Sequence, residues 1–364
     1  MDLLVDRSDL RVTRLVDPGV PEPADGEAVL AVDTFALTAN TITYGAVGDL
    51  IGYWRFFPAG DGWGRIPAWG FADVVASRCE DLPIGARVYG FLPMATHLRV
   101  LPVKVTPRGF VDGAAHRAAL PPVYNQYSRV DRAPETDEAV TAVLRPLFTT
   151  AFLIDAWLAD EGWFGADQVV VTSASSKTSI GLAHLVHARG VPTVGLTSAR
   201  NVAAVSELGC YDTVLAYDTV LGGATGTGAG LPVVATVSVD VAGDPAVLAG
   251  IHRHLGDALR VSSLVGLTHW EARAGGAAPG AGPLPGPTPA MFFAPDHVLR
   301  RREAWGARGF DDRLAAAWDT FAAFAATWLR IETARGPEAV VAAYRAVLEG
   351  AVEPTRAVMA SLHA

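Results

Sequence analysis

Residues 168–209, QVVVTSASSKTSIGLAHLVHARGVPTVGLTSARNVAAVSELG, read as strand, turn, helix, strand, turn and helix, and this alternation limits the chain to an α/β unit of nucleotide-binding type. Gln168–Thr172 is a β-branched run of the kind buried in a parallel sheet. A polar turn, 173–179, then hands the chain to an apolar-periodic helix that begins near Ile180 and ends at Gly190. Residues 191–196 form a second buried strand, 197–201 its polar exit, and 202–208 a further helix stopped at Gly209. Parallel strands joined through a helix need a right-handed crossover, which brings the first turn and the tip of the second strand to one edge of the sheet. A dinucleotide fits that edge, its pyrophosphate against the unsatisfied N–H groups of the helix start.

The glycine fingerprint usual for such turns is missing. Gly181 stands where a third glycine would, and Ser175, Ser176, Lys177, Thr178 and Ser179 take the other places. Hydroxyls and an ammonium are good phosphate donors, so the turn exchanges backbone approach for side-chain hydrogen bonds. A domain of this shape that has lost its cofactor is the other reading, and both stand at this point. The exit of the second strand indicates which cofactor to expect. An NAD site places a carboxylate there for the ribose 2′-hydroxyl, whereas a 2′-phosphate wants Arg and hydroxyls. Here stand Thr197, Ser198, Ala199 and Arg200, with no acid before Glu207, which favours NADPH. A cation at a helix start is electrostatically out of place unless an anion is near it.

The 364 residues, 50% of them hydrophobic, suffice for two cores. A net charge of −9, with no basic block longer than Arg300 to Arg302, argues against a nucleic-acid partner. Lysine occurs only at Lys104 and Lys177, which makes the one in the phosphate turn more noticeable. Cys79 and Cys210, the only cysteines, cannot build a four-thiolate zinc site or a disulfide framework. No apolar signal core or run long enough to cross a bilayer is read in the sequence, so the expectation is a cytoplasmic protein with no membrane partner.

In chain order, the part up to about residue 130 reads as β-rich, with short runs at 28–32, 72–76, 86–90, 97–101 and 104–106 between Gly and Pro, as in a partly open barrel or sandwich. The connection 37–70 is long and aromatic, carrying Tyr44, Tyr53, Trp54, Phe56, Phe57, Trp63 and Trp69; such a connection is usually functional, although some of these rings must close a core. In 121–127, two prolines and two tyrosines bracket Asn125 and Gln126, either as rigid donors or as a stiff, packed linker. An acidic boundary at 131–138 precedes a helical pattern from 139 to 159, interrupted at Pro146. Beyond Gly209, strands are expected at 213–216 and 232–239, helices at 246–255, 311–332 and 337–349, and a closing strand at 357–362. The glycine-rich stretches 221–230 and 275–289 read as loops.

This order, with the ADQVVVTSASSKTSIGLA turn, VGLTSARNVAAVSELG and YDTVLAYD, resembles the medium-chain dehydrogenase/reductase superfamily, especially its zinc-independent quinone oxidoreductase and enoyl reductase branch. The strings GYWRFFP, VYGFLPMATH, LPPVYNQY and SASSKTSIG resemble more closely one family within it, DUF2855. The resemblance implies an α/β protein with a GroES-like β-rich catalytic domain, residues 1–130 with a return at 306–364. A Rossmann domain of doubly wound parallel sheet then covers 131–305, with NADPH in the cleft between the two and a homodimer formed through the Rossmann sheets. Where the superfamily has an AxGLNxxD-like segment, FALTANTITY places Asn40 on the asparagine, Thr43 on the acid and Tyr44 one residue on. The AAGGVG turn maps onto 176–181, and the implied cofactor set is Ser175, Ser176, Lys177, Thr178, Ser179, Ile180, Ser198, Arg200 and Tyr217.

Hydride chemistry needs a donor for the developing oxyanion or enolate and exclusion of water. Without zinc that donor is a hydroxyl or an amide. Tyr44, Tyr53, Tyr124, Asn125 and Tyr127 are available, Tyr44 and Tyr124 first, with Asn40 beside them. His184 with His187, and His252 with His254, are spaced as metal ligands can be, but no third ligand is near and no metal is expected. No G-x-S-x-G elbow is present. The expectation is an NADPH-dependent, metal-free reductase acting on an activated C=C bond or a carbonyl of a small molecule. The competing class is a non-catalytic nucleotide sensor or scaffold on the same fold.

Overall fold

The computed structural model describes residues 1–221, 230–265 and 284–363, Leu221 for its backbone alone. Most of the two glycine-rich stretches expected as loops lies outside the described residues. The chain forms two compact units, Met1–Pro146 with Leu329–Ala364, and Leu147–Trp328. The first boundary falls later than the expected 130/131 because Glu135 and Glu138, at the start of the connecting helix, bond Arg335 and Arg87 of the first unit. The return to that unit begins at 329, not 306, because one long helix of the second unit runs through the expected boundary.

The first unit opens with β1 (Asp2–Asp6), β2 (Thr13–Val16) and β3 (Ala28–Leu37), then helix α1 (Ala39–Ala46), β4 (Trp63–Gly64), β5 (Pro67–Ser77), β6 (Arg87–Pro93), β7 (His97–Val100), β8 (Pro102–Thr106), β9 (Gly109–Asp112) and β10 (Gln126–Arg129). The connection 37–70 is therefore not structureless: it holds α1 and a 3-10 turn at Tyr53–Arg55, and its Trp54, Phe56 and Phe57 close the core. Helix α2 (Glu135–Asp160) follows and passes through Pro146 without a break. Proline removes one backbone hydrogen bond there, but Ala142, Val143, Leu144, Phe148 and Ala151 are buried around it and hold the helix. By length and composition α2 could cross a membrane, yet 61% of its most apolar window is buried inside the protein.

The second unit continues with β11 (Gln168–Thr172), α3 (Lys177–Ala188), β12 (Thr193–Thr197), α4 (Val202–Ser206), β13 (Thr213–Ala216), α5 (Asp218–Leu221), β14 (Thr236–Asp240), α6 (Pro245–Leu255), β15 (Leu259–Leu264), β16 (Ala290–Met291) and α7 (Ala294–Trp328), whose backbone breaks at Gly306. Then β17 (Arg330–Arg335), α8 (Pro337–Leu348) and β18 (Arg356–Ser361) complete the first unit. Strands β1, β2, β4, β9, β10, β15, β16 and β17 were not expected from the sequence, and the helix read over 311–332 runs from Ala294 to Trp328. The expected strand 232–239 starts only at Thr236, past Pro232, and the expected strand 191–196 starts at Thr193, past Pro192.

In the first unit a nine-stranded sheet runs β17-β18-β3-β5-β6-β10-β9-β8, with β7 also paired to β3, beside a three-stranded sheet β2-β1-β4. Its core holds Phe35, Phe56, Phe91, Tyr127 and Tyr344. In the second unit six parallel strands run β13-β12-β11-β14-β15-β16, the doubly wound order that places ligands at the carboxyl ends of the strands. Every residue of β11, β12 and β14 is buried, as a parallel sheet covered on both faces requires. The fold is thus a GroES-like β-rich unit with a Rossmann unit.

Candidate active site

In the first unit, Thr38 caps α1 with a reciprocal hydrogen-bond pair to Thr41, which fixes where the helix starts. Asn40 and Tyr44 are then one turn apart on one face, and the Asn40 amide donates to the Tyr44 hydroxyl oxygen at 2.7 Å. From β5, the Trp69 indole N–H donates to the same oxygen at 3.2 Å. Tyr44 has no acceptor for its own proton among the described residues, so its twice-accepting oxygen keeps that proton to donate.

Tyr53 and Tyr124 join the same cluster. Their hydroxyls are 2.9 Å apart, and the Tyr44 and Tyr53 ring centroids lie 4.6 Å apart. Phe91 on β6 stands 4.6 Å from Tyr124 and edge-on to Tyr44 at 5.2 Å. Burial drives the Tyr44, Tyr53 and Tyr124 phenols above their ordinary range. They are neutral at physiological pH, each with a proton it can donate.

The sequence reading missed what holds this cluster. Buried Arg117 donates to the carbonyl of Phe56, in the turn carrying Tyr53, and to the Tyr127 hydroxyl, which itself donates to the Phe91 carbonyl at 2.7 Å. A side chain at Gly90 would collide with the Tyr127 ring, so the absence of one there is what lets Tyr127 cross the strand. Asn125, expected as a substrate donor, instead gives its amide to the Arg117 carbonyl at 3.3 Å and braces the turn carrying Tyr124. Tyr127 is likewise structural. Trp69 was read only as one ring of the aromatic connection 37–70, and Phe91 and Arg117 were invisible as site residues because each reaches the cluster from a different strand or turn.

In the second unit, α3 starts at Lys177, earlier than the expected Ile180, because the Ser176 side chain caps it by accepting from the Ser179 N–H. Several expected phosphate donors are consequently engaged inside the protein. Ser179 is fully buried and donates to the Thr172 carbonyl at 2.9 Å, and Ile180 is a core residue. Ser175 accepts from Asn201 at 3.2 Å, which ties the turn to the exit of β12. Ser173, held at φ 50° in the left-handed region, gives its N–H to the Tyr217 hydroxyl at 2.9 Å. At the strand ends Thr172 donates to buried Asp240 at 2.7 Å and accepts from the N–H groups of Val241 and Ala242, a network with no sequence signal.

Lys177, Thr178 and Ser198 are half-buried and Arg200 is exposed. Desolvation lowers the Lys177 ammonium to about 8. Lys177 and Thr178 at the start of a twelve-residue helix, with Arg200 past β12, still form a donor set suited to the phosphates of a dinucleotide. Among the described residues no three His, Cys, Asp or Glu side chains are placed to hold a metal ion. His184 stacks on Phe324 and His187 faces Asp212, while His252 bridges Ser262 and the Pro285 carbonyl and His254 reaches the Leu231 carbonyl.

No curated protein matches the chain. Among solved structures, CurA from Vibrio vulnificus in complex with NADPH aligns over 97% of this chain and 94% of its own, with 13% identity and a TM-score of 0.62. Escherichia coli K-12 YhdH with bound NADPH aligns over 100% of both chains, with 15% identity and a TM-score of 0.54. The quinone oxidoreductase of Thermus thermophilus aligns over 99% of both, with 16% identity and a TM-score of 0.51. At such identities the likeness is one of fold, that of medium-chain dehydrogenases/reductases. The family model described as "Protein of unknown function (DUF2855)" matches residues 35–353, and the chain belongs to that family.

Proposed function

We propose that the protein is an NADPH-dependent, metal-free reductase of an activated C=C bond or a carbonyl in a small molecule. The observation that carries this reading is the Tyr44 hydroxyl, whose oxygen accepts from Asn40 and Trp69 while its proton is left to donate. A substrate oxygen that gains negative charge as its conjugated bond is reduced would be stabilised by that proton, and the two donors behind would ease its transfer. The rings of Tyr53, Phe91 and Tyr124 supply an apolar wall that limits water. Lys177, Thr178 and Arg200 would hold the phosphates of NADPH, which supplies the hydride when bound. The NADPH named in the CurA and YhdH structures supports this cofactor. A homodimer belongs to the same reading and is tested by sedimentation.

Intrinsic fluorescence titration with NADPH and with NADH, followed by NADPH oxidation over a panel of enones, quinones and aldehydes, tests the proposal. Submillimolar NADPH binding with turnover of at least one acceptor class is the expected result. If neither nucleotide binds below the millimolar range, the reading fails. The internally engaged hydroxyls of Ser175, Ser176 and Ser179 favour the second reading, a nucleotide sensor or scaffold without turnover. That reading predicts binding with no oxidation of any acceptor.

A further inference from the structure

Among the described residues four that are not glycine have a φ in the left-handed region: Lys104, Trp163, Phe164 and Ser173. Ser173 alone stands at the carboxyl end of a parallel strand, directly after β11 and at the head of the turn that leads into α3. Its φ of 50° is a conformation that glycine adopts freely, whereas a residue with a side chain keeps it only where the surroundings over-determine it. The peptide plane before Ser173 is held by two side chains: the Ser173 N–H donates to the Tyr217 hydroxyl at 2.9 Å, and the Thr172 carbonyl accepts from Ser179 at 2.9 Å. The plane after it is held by backbone, the Ser173 carbonyl accepting from the Ser176 N–H at 2.7 Å and the Ala174 N–H donating to the Leu196 carbonyl at 3.0 Å. The rotation between these two planes is the φ of Ser173. Tyr217 brings its tether from the exit of β13, 44 residues along the chain, and its own N–H donates to the Thr197 carbonyl at 2.9 Å, so the phenol is aimed from a fixed base.

We propose that Tyr217 is a positioning residue for the cofactor turn: its hydroxyl holds Ser173 in the left-handed conformation, and this tether stands in for the glycine that the turn lacks. The inference rests on the reading of this turn as the NADPH phosphate site, and it reassigns Tyr217 from a cofactor ligand to a residue that acts through Ser173. The missing glycine fingerprint is then no sign of a lost cofactor, since the backbone path is kept by a different device.

Four proteins separate a tether from a ligand: the wild type, Tyr217→Phe, Ser173→Gly and the double variant. Each is titrated with NADPH by fluorescence and melted, and hydrogen exchange is followed in the nucleotide-free protein on the peptide covering residues 168–176. Tyr217→Phe keeps the ring and deletes only the hydroxyl. It should speed exchange at the turn and weaken NADPH binding about threefold to tenfold, the size expected for one neutral hydrogen bond, with little change in melting temperature. Glycine needs no tether to reach a φ of 50°, so adding Ser173→Gly should return the affinity to within about twofold of the wild type, and Ser173→Gly alone should change it little. An unchanged affinity in Tyr217→Phe overturns the inference, as does a loss that Ser173→Gly fails to restore, which would make Tyr217 a direct ligand. A loss of affinity that merely follows a fall in melting temperature overturns it too. Failure in the variants alone leaves the cofactor reading standing, whereas a wild-type protein that binds no NADPH overturns that reading and the positioning role with it.

Discussion

The indole N–H of Trp69 donates to the hydroxyl oxygen of Tyr44 at 3.2 Å. Because an indole nitrogen can only donate, this contact fixes the Tyr44 oxygen as an acceptor and leaves its proton for another group. Replacing Tyr44 by Phe removes that proton and little volume. Turnover of the acceptor should fall by a factor of roughly 10² to 10⁴, with NADPH affinity nearly unchanged. Single-turnover kinetics with a parallel thermal melt would check this, since equal losses of stability and rate would make Tyr44 a packing group. Trp69→Phe should lose less, because Asn40 still supports the oxygen.

Lys177→Ala should weaken NADPH binding by about 1–3 kcal/mol, the usual worth of a charge-assisted hydrogen bond. Titration by fluorescence reads this directly, and unchanged affinity would remove Lys177 from the site.

Lys177 also carries a pH signature. Its ammonium is lowered from 10.5 to about 8 by desolvation, so between those values the unfolded chain holds a proton that the folded chain releases. The cofactor-free protein should therefore gain stability from this group as pH rises from about 8 towards 10.5. A bound phosphate reverses the preference and keeps the ammonium charged. NADPH affinity should fall as pH rises above about 8, and Lys177→Ala should flatten that dependence.

Arg200 is exposed beyond β12 and makes no hydrogen bond or ion pair among the described residues. Arg200→Ala should leave the melting temperature unchanged, lower NADPH affinity and spare NADH affinity. A parallel fall for both nucleotides would contradict its role at the 2′-phosphate.

Arg117 and Asp112 are a buried ion pair at 3.1 Å, each about 1% exposed. Arg117→Met would strand the carboxylate and release the turns that carry Tyr53 and Tyr124. A loss of about 3–5 kcal/mol is expected from chemical denaturation. Arg117→Met with Asp112→Asn should recover part of it, because no uncompensated charge then stays buried.

The sequence by itself determined the elements whose signals are local. The β-branched run Gln168–Thr172 has the expected bounds, because burial on both faces leaves an unbroken apolar pattern, and the short strand Thr213–Ala216 also lies where it was read. Asn40 and Tyr44 were legible as candidates from the resemblance, and Tyr53 and Tyr124 from the aromatic density of their segments, but helix α1 and the contact between Tyr53 and Tyr124 were not. Tertiary structure alone decided which groups meet. The partner of Tyr44 on Trp69 depends on how β5 lies beside α1, and the bond from Tyr127 to the Phe91 carbonyl depends on the register of β10 against β6. Equally non-local is the fate of the serines: a hydroxyl that looks free for a phosphate is spent when a strand end such as Thr172 comes within reach of Ser179. Hydrogen-bond partners are chosen by distance in space, which periodicity along the chain does not encode.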